Sequence, residues 1–113
     1  MPGLHNADEI DLISEDPDGR ALLSIVHPGP WSADGSEVAL LRRKLKSYLR
    51  FALEGQMVGK YPTLRDKPVV VELAYDDPLP EAILGYWKDA GRTASRRGVR
   101  LATRRLDDTV WRA

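Results

Sequence analysis

One segment constrains the fold more than any other. Residues 69–75 read Val-Val-Val-Glu-Leu-Ala-Tyr, an almost uninterrupted apolar run rich in β-branched side chains. Such a run is typical of an interior strand with a neighbour on each edge. We therefore predict an interior strand here, with the remainder of the 113 residues arranged around it.

Two shorter runs predict an antiparallel hairpin near the N-terminus. Residues 10–13 and 21–26 carry β-type patterns, and Asp16-Pro17-Asp18-Gly19 lies between them. Proline presets φ at the second turn position, aspartate bonds nearby amides, and glycine accepts a positive φ. Residues 99–104 alternate apolar and polar side chains and predict the last strand.

Two amphipathic helices are predicted between these strands. The first begins after a capping box formed by Asp34 and Glu37 and ends near Glu54, with Gly55 as its cap. The second covers residues 80–97 and is closed by Gly98. We expect residues 55–68, which hold two glycines and two prolines, to form a long loop.

The order of elements is β-β-α-β-α-β, which predicts an α+β fold. We expect a two-layer α/β sandwich in which a mixed four-stranded sheet carries two helices on one face. One domain spans residues 9–106, between a flexible N-terminus (1–8) and a C-terminal tail (107–113). The opposite sheet face would be uncovered, and Ile13, Leu22, Val26 or Val70 on it would need a cover.

Composition excludes several classes of function. The chain has no cysteine, which rules out disulfides, thiol catalysis and cysteine-based zinc sites. Its two histidines, His5 and His27, have no metal-ligand spacing. No apolar run approaches the roughly 20 residues that cross a bilayer. We expect a cytoplasmic protein without membrane contact, cofactor, metal or catalytic residue.

Charge is balanced overall but unevenly distributed. Residues 1–40 carry eight acidic side chains against Arg20 alone, whereas residues 41–60 carry six bases against Glu54. This polarity suits self-association or a charged protein partner. The alternative interpretation is that oppositely charged segments neighbour one another within one molecule.

Two further functional hypotheses depend on charged groups. Asp76 and Asp77 follow the interior strand, where carboxylates can hold a metal for an enzyme, although turn chemistry ahead of a helix is the favoured explanation. The second hypothesis is nucleic-acid binding through the basic residues of the first helix and the late arginines. Those residues are Arg43, Lys46, Arg50, Arg96, Arg100 and Arg104.

Scattered features make the chain resemble an uncharacterised bacterial family of small α/β domains, over roughly residues 8–105. They are Asp8 with Ile10-Asp11-Leu12-Ile13, His27 ahead of Trp31, Leu45 with Tyr48-Leu49, Gly55-Gln56 and Tyr61-Pro62. The resemblance implies a bacterial cytosolic protein and transfers no activity. It also implies that the segment holding Gln56 and Tyr61 is a structured loop, which becomes the first candidate for a binding surface.

The leading hypothesis is a non-enzymatic protein–protein interaction module. We expect a homodimer, or a protein that binds a partner in the manner of an adaptor or a toxin-neutralising protein. The surface would comprise the uncovered sheet face, Gln56 and Tyr61, and the tail around Trp111, since tryptophan is enriched at the centres of interfaces.

Overall fold

The computed structural model describes Leu4, Asn6 and residues 9–106. The strands are β1 (Leu12–Glu15), β2 (Ala21–Val26), β3 (Val69–Tyr75) and β4 (Val99–Arg105); the helices are α1 (Val38–Leu53), α2 (Gln56–Lys60) and α3 (Glu81–Arg96), with a 3-10 turn at Pro62–Leu64. No helix in this described part is long and apolar enough to cross a membrane.

The four strands form one mixed sheet in the order β1-β2-β3-β4. β1 pairs antiparallel with β2 through the predicted hairpin, and β2, β3 and β4 run parallel. The seven-residue apolar run is the interior strand β3, because it has a neighbour on each edge. The predicted α+β fold is confirmed.

Both long helices cover the same face of the sheet. Leu23 and Val71 are neighbours in register and both are fully buried under the helices. Tyr48 of α1 and Ile83 of α3 belong to the same buried cluster. Ile13 pairs with Leu23, so it lies on this covered face. The other face carries Leu22, Val26 and Val70, as predicted, but its centre is not uncovered, since Val70 is 5% exposed and Ser24 and Ala74 on the same face are fully buried.

Two predicted features are wrong in detail. Residues 55–68 contain the helix α2 and the 3-10 turn, where a loop was expected. The capping box at the start of α1 is also absent, since the Glu37 carboxylate accepts from the Ser32 amide and hydroxyl. Asp34 accepts from the Ser36 amide, which makes it part of a local turn.

The N-terminal prediction also needs a correction. Leu4, within the segment expected to fray, is 1% exposed and belongs to the core. The backbone carbonyl of Asn6 accepts a hydrogen bond of 3.2 Å from Lys44. At these two positions the chain packs against the domain. The predicted tail, residues 107–113, lies outside the described residues.

A buried ionic contact joins the start of β1 to α1. Lys44 Nζ lies 2.6 Å from Asp11 Oδ1, and both side chains are fully buried. The other oxygen of Asp11 accepts a hydrogen bond of 2.9 Å from the Val26 amide. Because β1 begins only at Leu12, this carboxylate takes the place of the strand carbonyl that would otherwise face Val26.

We predict that Lys44→Met lowers the free energy of unfolding by about 3–5 kcal/mol, because it leaves a buried carboxylate without its cation. Combining it with Asp11→Asn should recover part of this loss, since the amide oxygen still accepts from Val26. Urea unfolding measures both. The matched control is Lys67→Met, which removes an ion pair that is 29% and 46% exposed and should cost about 1 kcal/mol or less. Equal losses of stability in Lys44→Met and Lys67→Met would contradict the assignment of Lys44–Asp11 as a buried, stabilising ion pair.

Gly85 in α3 offers a second test of the fold. A Cβ at this position meets nothing within 4 Å, so the close helix–sheet packing that could require glycine is absent. We predict that Gly85→Ala raises the free energy of unfolding by about 0.5–1 kcal/mol. Gly35→Ala is the contrasting variant and should lower the free energy of unfolding. Its φ is +75°, and its Cβ would lie 2.6 Å from that of Ala82. A stabilised Gly35→Ala or a destabilised Gly85→Ala would contradict the packing described.

Candidate functional site

The outer edge of β1 presents backbone groups without a partner strand in the described sheet. The amide of Asp16 donates to the carbonyl of Arg20, which makes these two a hydrogen-bonded pair of the hairpin. Such pairs alternate along an antiparallel ladder, so Ser14 and Leu12 also bond to β2. The amide and carbonyl groups of Ile13 and Glu15 therefore point away from the sheet.

The opposite edge of the sheet is less accessible. The indole N–H of Trp87 donates a 2.9 Å hydrogen bond to the carbonyl of Ala102, in the middle of β4. Arg100 and Arg105 are exposed along the same strand, and charged side chains discourage strand addition. The edge of β1 is therefore the better place for an added strand.

A cleft of about 670 Å³ lies beside the free edge of β1. We call it the edge cleft; its lining residues are Glu9, Ile10, Ile13, Phe51, Gln56, Gly59, Lys60 and Tyr61. Its lining comes from two segments that are distant in sequence, residues 9–13 at the start of β1 and residues 51–61 from the end of α1 through α2. The cleft therefore exists only in the folded chain.

The segment that enters β1 is held in place by Tyr48 from α1. Its hydroxyl donates a hydrogen bond of 2.5 Å to the Ser24 carbonyl and accepts one of 2.8 Å from the Asp11 amide. Burial raises the pKa of the Tyr48 hydroxyl far above its ordinary range, and the negative charges of Asp11 and Glu9 act in the same direction. The hydroxyl thus bridges both strands of the hairpin in its neutral form and positions Ile10 at the cleft.

The far wall of the cleft depends on the end of α1. Gly55 has a φ of +92°, a left-handed conformation that favours glycine, and it directs the chain into α2. Met57 of this short helix is 3% exposed and anchors it to the core. Gln56 and Tyr61, the two residues proposed from the sequence for partner binding, consequently line the same cleft. Tyr61 remains 40% exposed, and Leu12 of β1 is 48% exposed.

The other residues predicted to bind a partner or nucleic acid do not lie together in the structure. Trp111 lies outside the described residues. Arg43, Lys46 and Arg50 are exposed on α1, and Arg96 is exposed at the end of α3. Arg100 and Arg104 share a register face with Val70 and Ala74, on the side of the sheet away from the helices. The six basic residues do not form one surface.

Arg104 is also engaged within the chain. Its Nε lies 3.0 Å from the carboxylate of Glu72, which is 6% exposed and accepts a hydrogen bond from Ser24. Together with Lys44–Asp11 and Lys67–Glu15, this pair shows that oppositely charged segments do neighbour one another in the monomer. This supports the alternative interpretation of the uneven charge.

The carboxylates proposed for an enzyme are both exposed. The amides of Asp76 and Asp77 donate to the carbonyl of Pro28, so this segment closes the end of β3 against the chain that leaves β2. Among the described residues, no three histidine, aspartate or glutamate side chains are grouped so that they could hold a metal ion. The geometry therefore favours the turn interpretation of these two residues.

Sequence patterns did not reveal the floor of the edge cleft. Ile10 and Phe51 look like ordinary core positions of a strand and a helix, and Ile13 was wrongly placed on the uncovered sheet face. Only the three-dimensional fold brings the three together. The free edge of β1 was also missed, because strand order does not follow from a sequence pattern. The one available signal was the hairpin at the N-terminus, since a terminal hairpin can supply an edge strand.

We predict that Tyr48→Phe lowers stability by about 1–3 kcal/mol at neutral pH, because it leaves the Asp11 amide and Ser24 carbonyl without their shared partner. Above the ordinary tyrosine pKa of 10.0, the unfolded chain loses a phenolic proton that folded Tyr48 keeps. The folded state then binds more protons, so the free energy of unfolding falls as pH rises.

Denaturation at a series of alkaline pH values measures this dependence. Tyr48→Phe should make the decline shallower by up to about 1.4 kcal/mol per pH unit. Tyr86→Phe is the comparison, since burial raises the pKa of Tyr86 whereas the charge of Arg42 lowers it. We expect a smaller change there. An unaltered alkaline decline in Tyr48→Phe would contradict the bridging role.

Comparisons with known proteins identify a family and no activity. A family model described as a family of unknown function (DUF6572) matches residues 3–107. Neither a curated protein nor a solved structure matches the chain. The match covers nearly the whole chain, so the protein belongs to this family of unknown function.

Proposed function

We propose that this member of the DUF6572 family is a non-enzymatic protein-interaction module that takes an extended segment of a partner protein along the free edge of β1. The observation that carries the proposal is the position of the edge cleft directly beside that edge. An added strand would bond to the backbone of Ile13 and Glu15. Its alternate side chains would point towards the helix layer, and one of them would enter the cleft.

The chemistry of the edge cleft indicates what kind of segment binds. Ile10, Ile13 and Phe51 offer apolar surface to an aliphatic or aromatic side chain. Tyr61 lies at the exposed side and combines a large apolar ring with a hydroxyl, a combination enriched in interface hot spots. Backbone hydrogen bonds would supply affinity without sequence preference, and the cleft would select the anchor residue.

Charge near β1 favours a basic partner over a second copy of this chain. Asp11 is neutralised in the interior by Lys44. Arg20 pairs with Asp16 and Asp18, and Lys67 pairs with Glu15. With Glu9 this leaves four acidic side chains against two bases, an excess of two negative charges. Antiparallel pairing of two β1 strands would bring two such acidic segments together, which like-charge repulsion disfavours. The homodimer expected from the sequence is therefore the weaker proposal for this edge. That the protein is bacterial and cytoplasmic stays a prediction, which depends on the family resemblance and on the absence of cysteine.

Selection from a displayed library of random short peptides tests this proposal. We predict that enriched peptides combine an apolar anchor with basic residues. Glu15→Pro, which removes an outward amide, and Tyr61→Ala should each weaken their binding about tenfold or more. Glu15→Gln is the matched control, since it removes the same ion pair with Lys67 and keeps the amide. Leu84→Ala, at an apolar residue that is 49% exposed elsewhere, should bind normally.

Two outcomes would overturn the proposal. One is a library that yields no binder, and the other is a set of binders indifferent to both Glu15→Pro and Tyr61→Ala. Sedimentation velocity adds the oligomeric state, for which we predict a 12.7 kDa monomer. A dimer that Glu15→Pro dissociates would show that a second copy occupies the edge, and it would replace the basic foreign segment.

A further inference from the structure

A second accessible groove lies between α1 and α3, on the other flank of α1 from the edge cleft. The two helices follow parallel strands and share one face of the sheet, and a groove of about 400 Å³ separates them. Its floor is apolar, because Leu45 and Leu49 of α1 face Ala90 and Ala94 of α3. The small side chains on α3 leave room that the leucines do not fill. We call this the helix groove.

The rim of the helix groove is strongly basic. Arg42, Lys46 and Arg50 follow one another at four-residue steps, so they form one stripe along α1. Arg97 stands at the end of α3, and Glu54 is the one acidic residue of the lining. The sequence pattern predicted the basic face of α1, but it did not predict that Arg97 lines the same groove.

The positive charge of this rim is not neutralised by the described part of the chain. Within that part, no ion pair engages Lys46, Arg50 or Arg97, whereas Lys44, Lys67 and Arg104 each have a carboxylate partner. Arg42 lies over the ring of Tyr86, 5.4 Å from its centroid, which holds its guanidinium at the groove. A ligand of this groove must therefore carry both negative charge and apolar surface.

We infer that the helix groove binds an acidic amphipathic helix from a partner protein. Arg42 and Glu54 are twelve positions apart, so the groove runs about 18 Å along α1, or roughly three helical turns. An apolar stripe of that length, at steps of three and four residues, fits the accessible part of the floor formed by Leu49 and Ala90. Acidic residues beside the stripe would meet Lys46 and Arg50.

Nucleic acid fits this groove less well. A phosphate backbone satisfies the cations but places no apolar side chains on the floor. Binding of single strands also relies on exposed aromatic rings for stacking. The aromatic ring in the groove belongs to Tyr86, which is half-buried and covered by Arg42. The combination of apolar floor and basic rim therefore favours an acidic helix.

Fluorescence anisotropy with designed peptides tests this inference. The probe is a labelled peptide with leucines at helical spacing and flanking glutamates; its comparisons are a scrambled peptide of the same composition and a DNA strand of equal charge. We predict that the ordered peptide binds at least about tenfold more tightly than either comparison. Its circular dichroism should gain helical signal on binding, and its Kd should rise with salt.

Variants locate the site and separate it from the edge cleft. The double variant Lys46→Glu/Arg50→Glu and the floor variant Ala90→Phe should each weaken the peptide about tenfold or more. Arg43→Glu makes one of these two charge reversals at an exposed position of α1 outside the groove and should have little effect. Glu15→Pro should leave the peptide unaffected, so failure of one proposal does not imply failure of the other.

Three results would overturn the inference. The scrambled peptide could bind as tightly as the ordered one, which would reduce the groove to a non-specific positive surface. DNA could bind more tightly than the peptide and depend on Lys46 and Arg50, which would make this a nucleic-acid surface. Equal losses in Arg43→Glu and in the groove variants would also exclude a defined site. Circular dichroism and thermal unfolding confirm that each variant is folded.

Discussion

The edge of the sheet depends on the buried contact between Asp11 and Lys44. β1 is only four residues long and lies at the border of the sheet, where few neighbours hold it. The Asp11 carboxylate extends the pairing of this strand to Val26, and Lys44 supplies the charge that makes a buried carboxylate tolerable. Tyr48 adds a neutral bridge between the same strands. Together these contacts tie β1 to α1 while the outer edge of β1 stays open.

Two surfaces of opposite character result from this arrangement. On one flank of α1, Phe51 faces an acidic strand edge and an apolar cleft; on the other flank, Leu45 and Leu49 face a groove with a basic rim. Part of the uneven charge is cancelled inside the chain, as in the pair Lys67–Glu15. Lys46, Arg50 and Arg97 line the helix groove beside accessible apolar surface, and this combination suits a charged amphipathic partner. One helix thereby separates the two proposed sites, which differ in the partner they would accept.

Local sequence patterns were sufficient to predict the strands and long helices. They were less successful in predicting which side chains contact one another. The apolar run 69–75 and the turn before residue 20 specified the interior strand and the hairpin, because both depend on neighbours in sequence. The capping box failed since Glu37 can reach Ser32 as easily as its own helix start, and propensity does not decide between such competing bonds. The role of Lys44 was hidden, because a lysine among other bases on α1 resembles a solvated face. Long-range contacts determine which of these residues is buried.

Amide hydrogen exchange along β1 tests the central claim most directly. If β1 is fastened to β2 on one side and open on the other, exchange rates must alternate with the hydrogen-bonding pattern of the hairpin. We predict that the amides of Leu12 and Ser14 exchange slowly, in step with β2, while those of Ile13 and Glu15 exchange fast. Equally slow exchange at Ile13 and Glu15 in the free protein would mean that the edge is already covered, and it would contradict the account.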